Sequence, residues 1–202
     1  RAVIRSDNAL DYERVYPTGA GLFESYFPAV NDSLSFTIDS NGNSQTIDWG
    51  DINSESVIDN VEVSHVFNGD SFNGAISFTD ETSIVKFHSS IDNEKFYPKI
   101  DLVNCTSLKD FRIENHGQRV YNIENLTSLE EYRNIGGNHR GADIEDLSGL
   151  TNLHTYDVSS SNFGGVPNGW TINSSLLKCY LNDNQLSTTD LNTILNEIDI
   201  NG

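Results

Sequence analysis

Basic residues are scarce in this sequence: 12 Lys and Arg stand against 30 Asp and Glu, which leaves a formal net charge of −18. Nucleic-acid affinity comes mostly from cationic contacts, and so negative a surface repels phosphate backbones and anionic lipids alike. Nucleic acid is therefore excluded as a partner. Long apolar runs are missing as well. No stretch reaches the roughly 18 residues that a bilayer-crossing helix needs, so no membrane insertion is expected. No basic start leads into an apolar leader, so no signal peptide is read in this chain. Methionine is absent and the chain starts at Arg1, and both ends read as cut.

Catalytic spacings are also wanting. The 5 histidines are His65, His88, His116, His139 and His154, and none of them builds an HxxxH or HExxH pair. No GxSxG elbow or phosphate-cradling glycine loop occurs. Glu130 and Glu131 are neighbours along the chain and diverge, whereas glycoside hydrolysis needs two carboxyls facing across a sugar. No catalytic residue, no metal ligand and no cofactor is assigned. The Asp-rich turns "DSNGNS" and "NDN" leave room for a structural divalent cation, but neither has the spacing of a calcium loop with its terminal Glu.

What the chain does contain is a phrase written more than once. "CTSLKDF", "LTSLEEY", "LTNLHTY" and "SSLLKCY" align with Leu108, Leu129, Leu153 and Leu176 in one column, at steps of 21, 24 and 23 residues. A fixed interval of this size marks a stacked-repeat architecture. Within each copy a short strand points alternate side chains in opposite directions, so Tyr156 and Val158 face one way while Thr155 and Asp157 face the other. One repeat cannot bury its apolar side alone, and stacking the copies does so. The fourth copy carries Leu176, Cys179, Leu181, Asn184 and Leu186 at LxxLxLxxNxL spacing, and Asn184 is expected to bond backbone groups in the turn. The second copy breaks the pattern at Asn134. On these residues, 102–186 resembles a short leucine-rich-repeat array, with "NFGGVPNGW" as its loop.

Upstream the period changes. "SLSFTID" alternates Leu34, Phe36 and Ile38 against Ser35 and Thr37, and "QTIDWGD" puts Ile47 and Trp49 on one face. "VSHVFNGDSFNGAISFTD" gives two more strands around a glycine-containing turn, and "TSIVKFHSS" another. Short strands separated by turn signals predict an antiparallel sandwich. Trp49, Gly50, Asp51, His65 and Phe67 are similar to the motif of the PKD-type immunoglobulin-like domain, with Ile52 in place of its second glycine and Phe67 in place of its tyrosine. The fold class expected is mainly β: an immunoglobulin-like β-sandwich over 31–100, then a leucine-rich-repeat-like solenoid over 101–202 with a C-terminal capping helix. Thr188 or Thr189 caps that helix in this reading, and Leu191, Ile194, Leu195 and Ile198 share the face that closes the solenoid.

Cys105 and Cys179 belong to the first and fourth copies. Three strand steps separate them by about 14 Å, and a disulfide needs Cα atoms within about 7 Å. Two thiols are expected. The strand residues facing away from the core are the candidate binding residues: Asp110, Arg112, Glu131, Arg133, Thr155, Asp157, Lys178 and Tyr180, an extended surface of the kind on which repeat proteins bind partners. Set against this is a plain solvated sheet whose charges pair with one another. Residues 1–30 hold Tyr12, Tyr16, Phe23, Tyr26 and Phe27, too many aromatics for a free linker, and read as an arm that either packs on the sandwich or docks on a neighbouring subunit, with Tyr16, Phe23, Tyr26 and Phe27 as its anchoring residues.

The combination of modules, ending in "LSTTDLNTILNEIDING", resembles proteins of tailed bacteriophages and of Bacteroidetes-type bacteria. The resemblance implies a non-enzymatic, extracellular virion-surface or tail-associated protein whose partners are other virion subunits or a host-surface glycan or protein. Its alternatives are a module of a bacterial cell-surface adhesin and an accessory binding domain of a carbohydrate-active enzyme.

Overall fold

The computed structural model describes residues 2–4, 10–12, 23–24, 33–67, 75–90, 99–115, 120–137, 139 and 141–201. Within them the chain is mainly β, with one α-helix at its C-terminal end and a solenoid-like stack of turns before it. The strands are β1 (Ala2–Ile4), β2 (Leu10–Tyr12), β3 (Phe23–Glu24), β4 (Ser33–Asp39) and β5 (Gln45–Asp48). Then come β6 (Ser54–Val57), β7 (Glu62–Val66), β8 (Ala75–Phe78), β9 (Lys86–Ser90) and β10 (Lys99–Asp101). The last are β11 (Asp110–Glu114), β12 (Val120–Tyr121), β13 (Glu131–Ile135), β14 (Thr155–Asp157) and β15 (Lys178–Tyr180), followed by helix α1 (Thr188–Asn201). β1 pairs with β2; the rest form a six-stranded sheet in the order β12-β10-β3-β8-β5-β6 and a seven-stranded sheet in the order β15-β14-β13-β11-β9-β4-β7.

Alternation builds the first part. Leu34, Phe36 and Ile38 of β4 are buried while Ser35 and Thr37 stay half-exposed. They meet the other sheet's Ile47, Trp49, Ile76 and Phe78, with the Phe36 ring 5.4 Å from Trp49 and 5.6 Å from Phe78. Burying each such side chain contributes about 1.5–3 kcal/mol. The two strands flanking the glycine-containing turn part company: β7 pairs with β4, whereas β8 pairs with β5 and β3. β6 is polar and exposed, so no apolar alternation announces it in the sequence.

β9 joins the two kinds of structure. On one side it pairs antiparallel with β4; on the other it pairs parallel with β11, and from there β13, β14 and β15 follow, all parallel. One sheet thus crosses the expected boundary at residue 100. Lys86 pairs with Asp110 in the same register in which Asp110 pairs with Glu131, so β9 acts as a rung below the first repeat. The inward ring of each rung stacks on the next: Phe87, Phe111, Tyr132 and Tyr156 lie 5.8, 5.5 and 5.6 Å apart with their planes nearly parallel. Leu108, Leu129 and Leu153 are wholly buried in their column, as are Leu126 and Leu150 in theirs.

After the strands β11, β13, β14 and β15 the chain makes a left-handed turn at an equivalent position, at Asn115, Gly136, Ser160 and Asp183. Backbone bonds tie these turns together, with Asn115 N donating to Ile135 O, Gly136 N to Ser159 O and Ser160 N to Asn182 O. Asn184 behaves as its spacing requires. Its Nδ2 donates to Val158 O at 2.8 Å and Leu181 O at 3.0 Å, and its Oδ1 accepts from Ser161 N and Phe163 N.

Four expectations need correction or completion. Neither threonine proposed as the helix cap serves as one: Ser187 is the cap, its Oγ accepting from Asp190 N while Asp190 Oδ2 accepts from Ser187 N, a reciprocal box. Of the helix stripe only Ile194 is buried, and Leu191, Leu195 and Ile198 remain exposed. The helix thus buries Ile194 in the core and places Ile198 beside Cys179, and it leaves most of its apolar stripe uncovered. Phe23, placed in the anchoring arm, lies in β3 between β8 and β10, so its backbone belongs to the six-stranded sheet. Tyr16, Tyr26 and Phe27 fall outside the described residues. Both cysteines are free thiols, Cys105 buried and Cys179 half-buried at the end of the stack.

Candidate functional site

Register places the proposed residues in two rows across the outward face of the seven-stranded sheet. One row runs Thr37, His88, Arg112, Arg133, Asp157, Tyr180; the other runs Asp39, Lys86, Asp110, Glu131, Thr155, Lys178. All eight expected residues share this face, and β9 and β4 extend it. His88 and Thr37 were not singled out because they precede the repeats. The cue available in the sequence is the alternation of "VKFHSS", which puts Lys86 and His88 opposite Phe87.

The charges pair, some along their own strand and some between neighbouring rungs. Arg112 donates through Nε and Nη2 to Glu114 Oε1, and Arg133 Nη2 donates to Glu131 Oε2 at 2.8 Å. His88 Nε2 lies 2.8 Å from Asp110 Oδ2, and Lys109 Nζ lies 3.0 Å from Glu130 Oε1. Exposed pairs of this kind contribute little to stability, about 0–1 kcal/mol each. They do hold the side chains in place. Asp157 accepts from the amide and hydroxyl of Ser159. Lys178 and Tyr180 are exposed. Thr155 is the exception: only 4% of its surface is exposed, because it sits between the flanking strands β13 and β15 with longer side chains on both. It cannot be a contact residue as expected.

Ser35 and Thr37 of β4 are short beside Glu62 on β7 and beside His88, Arg112 and Glu114 on β9 and β11. The result is a cleft of about 290 Å³ lined by Ser35, Thr37, Glu62, His88, Arg112 and Glu114. It offers donors from Arg112 and acceptors from the two glutamates side by side.

Two further polar clusters are interior. Asp51 is buried, its Oδ2 2.7 Å from His65 Nε2, and His65 stacks on Trp49 at 4.7 Å. Burial raises the Asp51 carboxyl, and hydrogen bonds from His65 and Asn53 more than reverse this, holding it below the usual carboxylate range. The second cluster explains the broken pattern at Asn134. Inside the stack, Glu145 Oε1 accepts from Tyr132 Oη at 3.2 Å and Oε2 from Tyr156 Oη at 2.5 Å. Asn134 Nδ2 reaches Tyr132 Oη at 3.4 Å and His139 Nε2 at 3.1 Å, and the His139 ring stacks on Phe163 at 4.1 Å. Asn134 fills an apolar position because its neighbours in the core carry hydroxyl and imidazole groups. Burial, with the Glu145 charge beside it, pushes the Tyr156 hydroxyl well above its ordinary value. Burial also raises both thiols, Cys179 to about 11, with Asp157 adding to the effect. Neither is a ready nucleophile.

Among the described residues no three His, Cys, Asp or Glu side chains gather as a metal site. In the "DSNGNS" turn Asp39 accepts from Asn41 N and Asn60 Nδ2, so its oxygens are engaged within the fold. No helix there is long and apolar enough to cross a membrane. Comparison of the chain with protein-family models, curated proteins and solved structures finds no match.

Proposed function

We propose that this chain is a non-enzymatic, extracellular structural and recognition protein on a bacteriophage virion, and that the outward face of its seven-stranded sheet contacts a host-surface glycan or protein, or another virion subunit. The observation that carries the reading is the continuity of that face. Arg112 and Arg133 stand on adjacent strands within it, each braced by a glutamate of its own strand. Charges fixed in this way lose little side-chain freedom when a partner arrives.

In this reading residues 31–100 are an immunoglobulin-like sandwich of the PKD type. The packing of Trp49, His65 and Phe67 around buried Asp51 supports it. So does Ile52, which stands at the motif's second glycine and has the left-handed φ of 72° that a glycine would take. Residues 101–202 are a leucine-rich-repeat solenoid, supported by the leucine columns, the rung spacing and the bonds of Asn184. The His65–Asp51 pair, engaged in packing, accords with a role without catalysis.

Peptide mass spectrometry of density-purified virus particles and of washed cell envelopes from one culture tests the assignment. A fixed copy number per particle is expected, and enrichment in the envelope instead replaces the reading with a bacterial surface module. Arg112→Glu with Arg133→Glu should weaken host binding, and unchanged binding removes the sheet face from the proposal.

A further inference from the structure

The rungs are joined by one repeated backbone device. Val85 O accepts from both Lys109 N and Asp110 N, at 2.9 and 3.2 Å. Lys109 O likewise accepts from Glu130 N and Glu131 N, Glu130 O from His154 N and Thr155 N, and His154 O from Leu177 N and Lys178 N, all between 2.8 and 3.3 Å. Leu177 O is next in this column. Among the described residues no backbone N–H reaches it. β15 is the edge of the sheet, so its outer backbone groups form an unfilled template for another strand.

The side chains end the same way. The inward stack Phe87, Phe111, Tyr132, Tyr156 reaches Cys179 and stops. Beside Cys179 a cavity of about 320 Å³ is lined by Ile172, Leu176, Leu177 and Ile198, with Asn173, Ser174 and Lys178 at its polar side. Leu177 is 80% exposed and Leu195 61%, and Leu191 and Ile198 lie on the same helix face as Leu195. Interior rungs bury their leucine columns completely. A terminal rung of a solenoid ordinarily presents only polar groups, and this one sets exposed Leu177 among its polar side chains.

We propose that the β15 end is a strand-addition site, at which an extended segment of a second polypeptide pairs in parallel with β15 and forms a further rung. The inference stands apart from the function proposed for the sheet face. The occupant's chemistry follows from continuity with the interface between existing rungs. It supplies two successive N–H groups to Leu177 O, an apolar or aromatic side chain over Cys179, and apolar residues three positions before and two positions after that one, at the spacing of Leu153, Tyr156 and Val158. An acidic residue opposite Lys178 completes the cross-strand pairing. A second copy of this chain is disfavoured as occupant by the net charge of −18 that each copy carries.

The test uses the whole chain and a synthetic peptide of residues 148–163 carrying Thr155→Glu, so that a glutamate meets Lys178. Saturable 1:1 binding is expected by fluorescence anisotropy, with hydrogen-exchange protection gained at residues 176–181 and 191–198. A second peptide carrying Thr155→Pro at the same position lacks one N–H and the carboxylate, and should bind about tenfold more weakly. In the protein, Leu177→Asp alters an exposed residue and should abolish binding without changing the melting temperature. Absence of saturable binding, or protection elsewhere, overturns the proposal. Sedimentation of the chain alone as a dimer that Leu177→Asp returns to monomer also overturns it, by assigning the end to a second copy.

Discussion

Ile52 combines a left-handed φ of 72° with a side chain 92% exposed, so its strain is returned by no burial. The left-handed region costs an L-residue about 1–2 kcal/mol, and branching at Cβ adds to the crowding. The surrounding turn holds the conformation. Trp49 N donates to Asn53 O at 3.0 Å, Gly50 N to Asp48 Oδ1 at 2.9 Å and Asn53 N to Asp51 Oδ1 at 3.3 Å. Ile52→Gly relieves the strain but gives the unfolded chain more freedom, which opposes the gain by about 0.5–1 kcal/mol. A net stabilisation of about 0.5–1 kcal/mol remains, equivalent to a rise in Tm of about 1–4 °C for a chain of this size. Thermal and urea unfolding followed by the fluorescence of Trp49 and Trp170 and by far-ultraviolet circular dichroism measures it. Ile52→Asn, which tolerates the left-handed region, should recover part of the gain, and Ile52→Val none. If Ile52→Gly melts at or below the parent, strain at this turn is not what the backbone angle implies.

Asn184→Ala removes bonds to three carbonyls and two amides, and should destabilise the chain by about 1–3 kcal/mol in urea unfolding. Tyr156→Phe leaves the buried Glu145 carboxylate short of its closest donor and should cost about 1–3 kcal/mol by the same assay. Gly164→Ala would bring a Cβ within 2.5 Å of Gly141 O, a backbone clash that should cost about 1–3 kcal/mol and lower Tm. The Asp59 carboxyl is held below its ordinary value, first by the Ser40 hydroxyl and then by the Ser40 and Gly42 amides. A carboxyl depressed in the folded state stabilises fully above its unfolded pKa, and that stability is lost as pH falls through the folded one. Stability should therefore drop below about pH 4, and Asp59→Asn should flatten that acid limb in urea titrations at successive pH values.

The sequence by itself determined whatever depends on local period and on sums over the chain. Alternation in "SLSFTID" set the buried face of β4, the recurrence of Leu108, Leu129 and Leu153 set the rungs, and the excess of carboxylates set the sign of the surface. Cysteines in the first and fourth copies were legible as separate thiols, because repeat spacing alone puts them too far apart. Eight candidate residues came together on one sheet face for the same reason, since side-chain direction in a strand follows from parity. Parity says nothing of how deeply a residue is covered, and so Thr155 turned out buried between its neighbours. Only the tertiary structure decided that β9 serves both as a partner of β4 and as the lowest rung, because pairing between strands far apart in sequence leaves no local trace. It likewise decided that Asn134 belongs inside, since the groups that satisfy it, the Tyr132 hydroxyl and the His139 ring, meet only once the turns are stacked. The helix was legible in its cap region and its apolar stripe, but which surface that stripe meets depends on what lies beyond β15, where the stack presents an open edge rather than a wall.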